Sequence, residues 1–356
     1  MSIIVKKLLK IIKDYEMPIG TQMNEKHIET WLSQFDEEDQ DVILEEMINI
    51  CKKFYFSRED VKNILEYFFT DKEYWETCTR NKFKNMKFLN IQERGTSQED
   101  LLEIVNEVLD EKYQLNISEC NSKNFYVYID DCIFTGSRLK WDIERCIDDD
   151  IFKAGDTLVI CHLFWYKSGS DYSIKKIKSM CHENSINLGY WYFDMQNNYQ
   201  NNDYCNPMGT LWPQYIDDEV VNRYIALRGE VSEWAETAEF FRTYDMKKEL
   251  IFSCSENREC VEKAFLLAGV DILDGLNNPC NSMRPMGFSK LETIGFGAVF
   301  ITYRNIANNC PLALWYGDIF NQGNGPLGRW YPLFPRKCNE EINEDVDDDD
   351  IFNFGF

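Results

Sequence analysis

The run Phe125-Tyr126-Val127-Tyr128-Ile129, followed at once by Asp130-Asp131, restricts the fold more than any other stretch of the chain. A strand that is apolar on both alternating faces has to be covered on both, which is the situation of a central strand in a parallel sheet between layers of helix. A glycine-containing turn over Phe134 to Arg138 leads into a helix predicted over Leu139 to about Asp150. A second apolar run, Thr157 to Tyr166, a polar turn, a helix over Ser173 to Glu183 and a third run, Asn187 to Phe193, repeat the alternation. Strand, helix, strand, helix, strand with short connections specifies an α/β fold with a parallel sheet, whose crossovers are expected to follow the general right-handed rule.

The flanks read differently. Apolar residues recur at helical spacing through Trp31, Leu32 and Phe35, then Val42, Ile43, Met47 and Ile50, then Val61, Ile64, Leu65, Phe68 and Phe69. Ser57 with Asp60, and Ser97 with Asp100, resemble capping boxes, the second opening a helix over Gln98 to Glu111. Between them lies a short apolar stretch, Lys87 to Ile91. Beyond an Asn- and Tyr-rich loop, Met195 to Asn206, helices are expected around Asp218 to Tyr244 and Glu259 to Leu267. A strand is expected over Gly295 to Tyr303, then irregular chain to Pro335. The resulting division is a helical N-terminal region, 1–85; an α/β core, 86–200; an α+β C-terminal region packed on it, 201–338; and an acidic tail, 339–356.

Charge and cysteine usage narrow the functional classes. The chain carries 61 acidic against 38 basic side chains, a formal charge of −23. Direct nucleic-acid binding is not expected of it, because phosphate backbones are held by basic surfaces. Glu340 to Asp350, an almost continuous acidic run, reads as a solvated tail. Thirteen cysteines, spread singly and odd in number, read as reduced thiols. Lys6, Lys7 and Lys10 interrupt the apolar N-terminus, so it reads as an amphipathic helix, not a signal peptide. No run approaches the ~20 apolar residues of a membrane span, and a cytoplasmic location with no membrane association is expected.

The chemistry gathers where the central strand ends. Asp130 and Asp131 stand at a strand's carboxyl end, the place where ligands collect in open parallel sheets. Thr135-Gly136-Ser137-Arg138-Leu139 then offers backbone N–H groups at a helix N-terminus, which suits a phosphate. Gly136 lets the backbone close around it. Two carboxylates next to such a turn can accept from a vicinal diol, and the set matches a ribose 5-phosphate. The bland alternative for the same acids is a turn and helix-cap device.

An acid pair, three residues, then Thr-Gly resembles the phosphoribosyl-pyrophosphate motif of type I phosphoribosyltransferases. In that family the acid pair holds the ribose hydroxyls, directly and through Mg²⁺, and the Thr-Gly loop holds the 5-phosphate. A second loop after an earlier strand cradles pyrophosphate; its counterpart here is Arg94-Gly95-Thr96-Ser97. More of the chain is similar to the phosphoribosyltransferase-like proteins of bacterial conflict systems (PRTase-CE), found in anti-phage operons including some retrons. The features concerned are Trp31-Leu32-Ser33-Gln34-Phe35, Gly95-Thr96-Ser97, Asp130-Asp131, Gly295-Phe296-Gly297, Arg304-Asn305, Asn309 to Trp315, and Trp330 to Phe334. The resemblance implies a type I phosphoribosyltransferase-like parallel sheet flanked by helices. It implies a defence effector that binds phosphoribosyl pyrophosphate or a nucleotide with Mg²⁺ and acts at the ribose anomeric carbon, alongside a protein partner from the same operon. A non-catalytic nucleotide-sensing or partner-binding subunit is the alternative.

Two positions depart from the transferase pattern. Arg138 stands where those enzymes usually have Thr, and it can still contact phosphate. Only Lys112 to Asn124 separates a helix from the motif strand, which leaves little room for the catalytic lid. Elsewhere, the Cys161-His162 and Cys181-His182 doublets lack zinc-ribbon spacing, and strand alternation sends Cys161 and His162 to opposite faces. Cys132 has no histidine near it in sequence and reads as a buried thiol. Trp165, Tyr166, Lys167 and Asp194 follow strand ends and either contact a base or belong to the core. Arg304, Asn305, Asn308 and Asn309 either line a pocket or an interface or serve the surrounding structure.

Overall fold

The structure, a computed structural model, describes residues 2–92, 97–198, 209–231, 240–243, 249–276, 279–289 and 293–337. The acidic tail and Met1 lie outside them. Contacts divide the chain into two compact units, Met1–Ser57 with Asp203–Phe356, and Arg58–Asn202. The first cut therefore falls at Ser57 and not near residue 85. The helices after it bury their aromatics in the sheet unit, Phe69 meeting Phe83 and Phe88, and Phe68 meeting Trp191. The C-terminal region shares its unit with the first helices.

The first unit opens with α1 (Ser2–Ile12), α2 (Glu25–Leu32), α3 (Gln40–Phe54) and a two-residue strand β1 (Tyr55–Phe56). Asn24 caps α2, accepting the His27 N–H at 2.9 Å. The chain then builds the second unit: α4 (Arg58–Thr70), α5 (Lys72–Trp75), α6 (Arg80–Lys84), β2 (Lys87–Phe88), α7 (Ser97–Tyr113), β3 (Phe125–Ile133), α8 (Ser137–Asp148), β4 (Thr157–Tyr166), α9 (Lys167–Glu183) and β5 (Asn187–Gln196). It returns to the first with α10 (Glu219–Val231), α11 (Ser255–Asp274), β6 (Ile301–Thr302) and α12 (Leu312–Trp315). No described helix is long and apolar enough to cross a membrane.

In the first unit β1 and β6 pair in parallel, Tyr55 opposite Ile301. The strand expected over Gly295 to Tyr303 shrinks to two residues, because Gly295 and Gly297 take φ of +133° and +70°. A Cβ on Gly297 would stand 1.9 Å from the Leu211 carbonyl oxygen. The residues that carried the resemblance are staples here. Trp31 and Trp330 both donate their indole N–H to the Ala313 carbonyl, at 2.8 and 2.9 Å. Gln34 brackets Tyr331, donating to its carbonyl and accepting its N–H. Asn305 likewise brackets Lys337, and Asn309 donates to the Phe288 carbonyl, so these two serve the backbone around them.

The second unit is a parallel sheet of order β2-β3-β4-β5. One face is covered by α8 and α9, whose Leu139, Ile143, Cys146, Ile174, Ile177 and Cys181 pack with Tyr126, Tyr128, Leu158 and Ile160. The other, carrying Val127 and Ile129, is covered by α7 and α4. Cys161 and His162 do point to opposite faces, His162 lying beside Tyr128 and Trp165. The side-chain phase shifts by one residue beyond Asp130. Tyr128 precedes the shift and Ile133 follows it on the same core face; Ile160 and Trp165, and Leu188 and Met195, do the same in the neighbouring strands. Because three strands shift together, the register survives, from Asp130 opposite His162 to Cys132 opposite Phe164.

β3 does not end in the acid pair but continues to Ile133, because its pairing with β4 continues. The polar stretch after Tyr166 is not a turn; α9 starts at Lys167 directly after β4. The crossovers do not share one hand. The connections through α7, α8 and α9 all step the same way across the sheet, yet α7 lies on the opposite face, so the β2–α7–β3 crossover is of opposite hand to the other two.

Candidate functional site

The turn after β3 is built by two glycines. Gly136 adopts φ +76° immediately before α8, a conformation that costs an L side chain ~1–2 kcal/mol. Gly169, in the first turn of α9, lies so close that a Cβ on it would stand 1.8 Å from the Phe134 carbonyl oxygen. Phe134 stacks on Tyr166 at 5.6 Å, which seats the turn on the end of β4. Thr135 and Ser137 are half-buried and 3.4 Å apart through their hydroxyls. Arg138 is exposed in the first turn of α8, and the Leu139 side chain is buried in the core, leaving only its backbone to face the turn. The N-terminus and dipole of a twelve-residue helix thus lie beside two hydroxyls, with Arg138 in its first turn.

The acid pair is asymmetric. Asp130 is 6% exposed. Its Oδ1 accepts from Ser97 Oγ at 3.0 Å and from the Asp131 N–H at 2.9 Å. Its Oδ2 accepts from Gln92 Nε2 at 2.8 Å and faces the Tyr128 hydroxyl at 3.4 Å. Asp131 is half-buried, with Oδ1 accepting the Cys132 N–H at 2.7 Å. Of the residues flanking the expected second loop, Gln92 and Ser97 both reach Asp130, and the neighbouring Gln98 links the Ile91 N–H to the Ile129 carbonyl. Arg94, Gly95 and Thr96 lie outside the described residues. Ser97 does not act as a cap; it is the first residue of α7, and its hydroxyl is turned to Asp130 and Gln92.

Behind the pair lies a buried polar group that no sequence motif marked. Tyr128 donates to Asp142 Oδ2 at 2.9 Å, with Arg145 4.0 Å from the other Asp142 oxygen. Burial pushes the Asp142 carboxyl up to about 6, the Tyr128 hydrogen bond opposing it and the Asp130 charge adding to it. Burial also drives His162 down to about 3, against the pull of the Asp131 charge, and its Nδ1 has no hydrogen-bond partner among the described residues. Arg145 donates to the Ile91 carbonyl and stacks over Trp141 at 4.4 Å, tying α8 to the end of β2. A signal for Asp142 was present: it shares the inward helical stripe of Leu139, Ile143 and Cys146.

The other candidates scatter. Trp165 is buried and stacks on Tyr192 at 4.3 Å; Tyr166 is fully buried. Lys167 pairs with Asp171, and Asp194 accepts from the Met195 N–H and Gln196. Cys132 is buried. A groove of ≈450 Å³ beside α7 is lined by Glu99, Glu103 and Glu107 and by none of the acid-pair or turn residues. Its carboxylates oppose an anion.

A parallel sheet flanked by helices, with an acid pair and a glycine turn at the carboxyl end of an inner strand, is the fold of phosphoribosyltransferase-like proteins. The PRTase-CE family model matches residues 28–336, and the chain belongs to that family. No curated protein and no solved structure matched.

Proposed function

We propose that this phosphoribosyltransferase-like protein is an anti-phage defence effector that binds phosphoribosyl pyrophosphate or a nucleotide with Mg²⁺ and acts at the ribose anomeric carbon. The observation that carries the reading is the convergence of two loop ends on one strand end: Gln92 and Ser97 on Asp130, with the Gly136 turn and the α8 N-terminus beyond it. In this assignment Thr135 to Leu139 take the 5-phosphate, Asp130 and Asp131 serve the ribose, and Arg94 to Ser97 take the pyrophosphate. Displacement there breaks the bond from the anomeric carbon to a pyrophosphate oxygen and forms one to an acceptor. The protein positions the reactants and stabilises charge on the leaving group, with no protein nucleophile.

The residues fit Mg²⁺ carried by the ligand. Among the described residues no three carboxylate, histidine or cysteine groups form a cage. Mg²⁺ characteristically keeps several waters and takes one or two carboxylates plus substrate phosphates, a part that half-buried Asp131 can fill. Bound there, the ion would neutralise pyrophosphate charge.

A second reading, a nucleotide-sensing or partner-binding subunit without turnover, is favoured by the stretch where a lid would arise. Residues 114–124 are tied down: Asn116 and Glu119 form a capping box, Asn106 accepts the Ile117 N–H, and Leu115 and Cys120 are buried. Either role fits a protein partner from the same operon. Phosphoribosyl pyrophosphate should raise the melting temperature in a Mg²⁺-dependent way, and Asp131→Asn should abolish the shift. Absence of stabilisation by any ribose phosphate rejects both readings. Pyrophosphate release with a panel of bases separates them.

A further inference from the structure

A carboxylate offers about four lone-pair directions. At Asp130 all four face donor atoms: Ser97 Oγ, the Asp131 N–H, Gln92 Nε2 and the Tyr128 hydroxyl, at 3.0, 2.9, 2.8 and 3.4 Å. Two of these hydroxyls have a second acceptor, Gln92 Oε1 for Ser97 and Asp142 for Tyr128. Two directions are held by the Asp131 N–H and Gln92 Nε2, the other two are closed off by the Ser97 and Tyr128 hydroxyl oxygens, and the residue is 6% exposed. A ribose diol binds a carboxylate by donating to it, and it finds no open direction here. Asp131, one residue further along and half-buried, lies where the side-chain phase of the sheet shifts.

Resting on the ligand class proposed above, we propose that the acid pair divides its work: Asp131 alone receives the ribose hydroxyls, and Asp130 is a positioning residue that ties Gln92 and Ser97 to the end of β3. The chain behind Asp130 supports this. Tyr128 lies between Asp130 and Asp142, and Asp142 belongs to α8, the helix that begins at the phosphate turn. Arg145, from the same helix, holds the Ile91 carbonyl. The two loops expected to bracket one ligand are therefore fixed relative to each other through Asp130, whose side chain need not touch that ligand. Asp131 supplies the discrimination between sugars.

The test compares ribose 5-phosphate with 2-deoxyribose 5-phosphate, which differ in one hydroxyl, using the full-length protein. Wild type should prefer the ribose by about tenfold or more, the scale of a hydrogen bond to a charged group. Asp131→Asn should collapse that ratio. Asp130→Asn should weaken both ligands and preserve the ratio within about twofold, and Gln92→Ala, which removes one of the four donors, should behave in the same way. In the free protein, hydrogen exchange supplies a readout without ligand: Asp130→Asn should speed exchange at the Ile91 and Gln98 amides, and Asp131→Asn should not. Equal loss of the ratio in both Asp variants, or unchanged exchange in Asp130→Asn, overturns the division of roles. Failure of wild type to bind any ribose phosphate overturns instead the ligand class on which it rests.

Discussion

Asp142 and His162 sit on one face of one sheet with displaced proton affinities of opposite consequence, and replacing either should expose a pH slope that the other masks. Asp142 is 1% exposed and titrates near 6 in the fold, against 3.8 as a free group. The folded state therefore holds its proton more tightly than the unfolded state. Its contribution is neutral below about 4, and stability is lost as pH rises through 6, to a total of ~3 kcal/mol at about 1.4 kcal/mol per unit. His162, also 1% exposed, falls from 6.5 to about 3, so here the unfolded state binds the proton. Nothing is lost above about 6.5, and stability falls as pH drops from there towards 3, by ~2 kcal/mol at about pH 5. Between about 4 and 6 the two slopes oppose each other. Asn at 142 keeps an oxygen for the Tyr128 hydroxyl but cannot ionise. The stability of Asp142→Asn relative to wild type should be larger at pH 7.5 than at pH 5 by ~1–2 kcal/mol, because the penalty at pH 5 is only about half of that at pH 7.5. His162→Phe should show the reverse trend, gaining ~2 kcal/mol relative to wild type on going from about pH 7.5 to about pH 5. Urea titrations at both pH values, at low protein concentration because the sequence pI is ≈4.6, give these differences directly. A pH-independent difference for Asp142→Asn would refute the claim that burial raises this carboxyl.

Gly169→Ala should displace the Gly136 turn, since its Cβ would meet the Phe134 carbonyl oxygen at 1.8 Å, a backbone atom that cannot swing aside. A loss of ~1–3 kcal/mol in denaturation and of ligand-induced stabilisation is expected. Gly155→Ala has a φ of +92° but nothing within 4 Å, so it should lower stability by ~1 kcal/mol and leave ligand response intact. In the other unit, Glu262 accepts from Arg258, Arg242 and the Trp212 N–H with all three side chains buried. Glu262→Gln removes one charge from this buried cluster, in which Arg258 keeps Glu249 at 2.9 Å, and should destabilise by ~3 kcal/mol in urea unfolding; a change below ~1 would show that the cluster relaxes.

The acid pair, the turn and the sheet were legible because each depends on residues adjacent in sequence. Thr157 to Tyr166 was bounded correctly as a strand, since a run apolar on both faces has one comfortable environment. The environment of Asp130 was not legible. It is made by Gln92, Ser97 and Tyr128, brought together by pairing of β2 with β3, and no local pattern marks a glutamine as a carboxylate's donor. The phase shift beyond Asp130 was hidden for a similar reason: strict alternation predicts a side chain's face only while the pleat is unbroken. The start of α9 was masked by Lys167-Ser168-Gly169-Ser170, which reads as a turn. Gly169 is there because the neighbouring turn leaves no space for a side chain, not because the chain bends.

The reversed hand of the β2–α7–β3 crossover bears on which activity the site can support. A parallel sheet with crossovers of both hands is unusual, because a right-twisted strand feeds a helix back onto the sheet in one sense, the right-handed one, in nearly all cases. α7 lies on the face where a right-handed connection would place it if the chain were stepping outwards from β2, away from β3. Instead of an outer strand, α7 leads into a short, tied-down segment: Asn116 and Glu119 close a capping box, and Arg80 of α6 pairs with Glu119 at 2.8 Å. The geometry is that of an outward step whose strand is missing. In the transferases that the acid-pair motif resembles, the lid springs from the chain joining that strand to the motif strand. Here the corresponding chain is committed to α6 and α7, while the Gly136 turn and the acid pair stand together at the end of β3. Under the proposed function, ligand selection and covering of the reaction are thus separated in this chain. If turnover occurs, the exclusion of water that a lid provides has to come from another surface, and a partner seated over the strand ends would make its activity conditional on assembly.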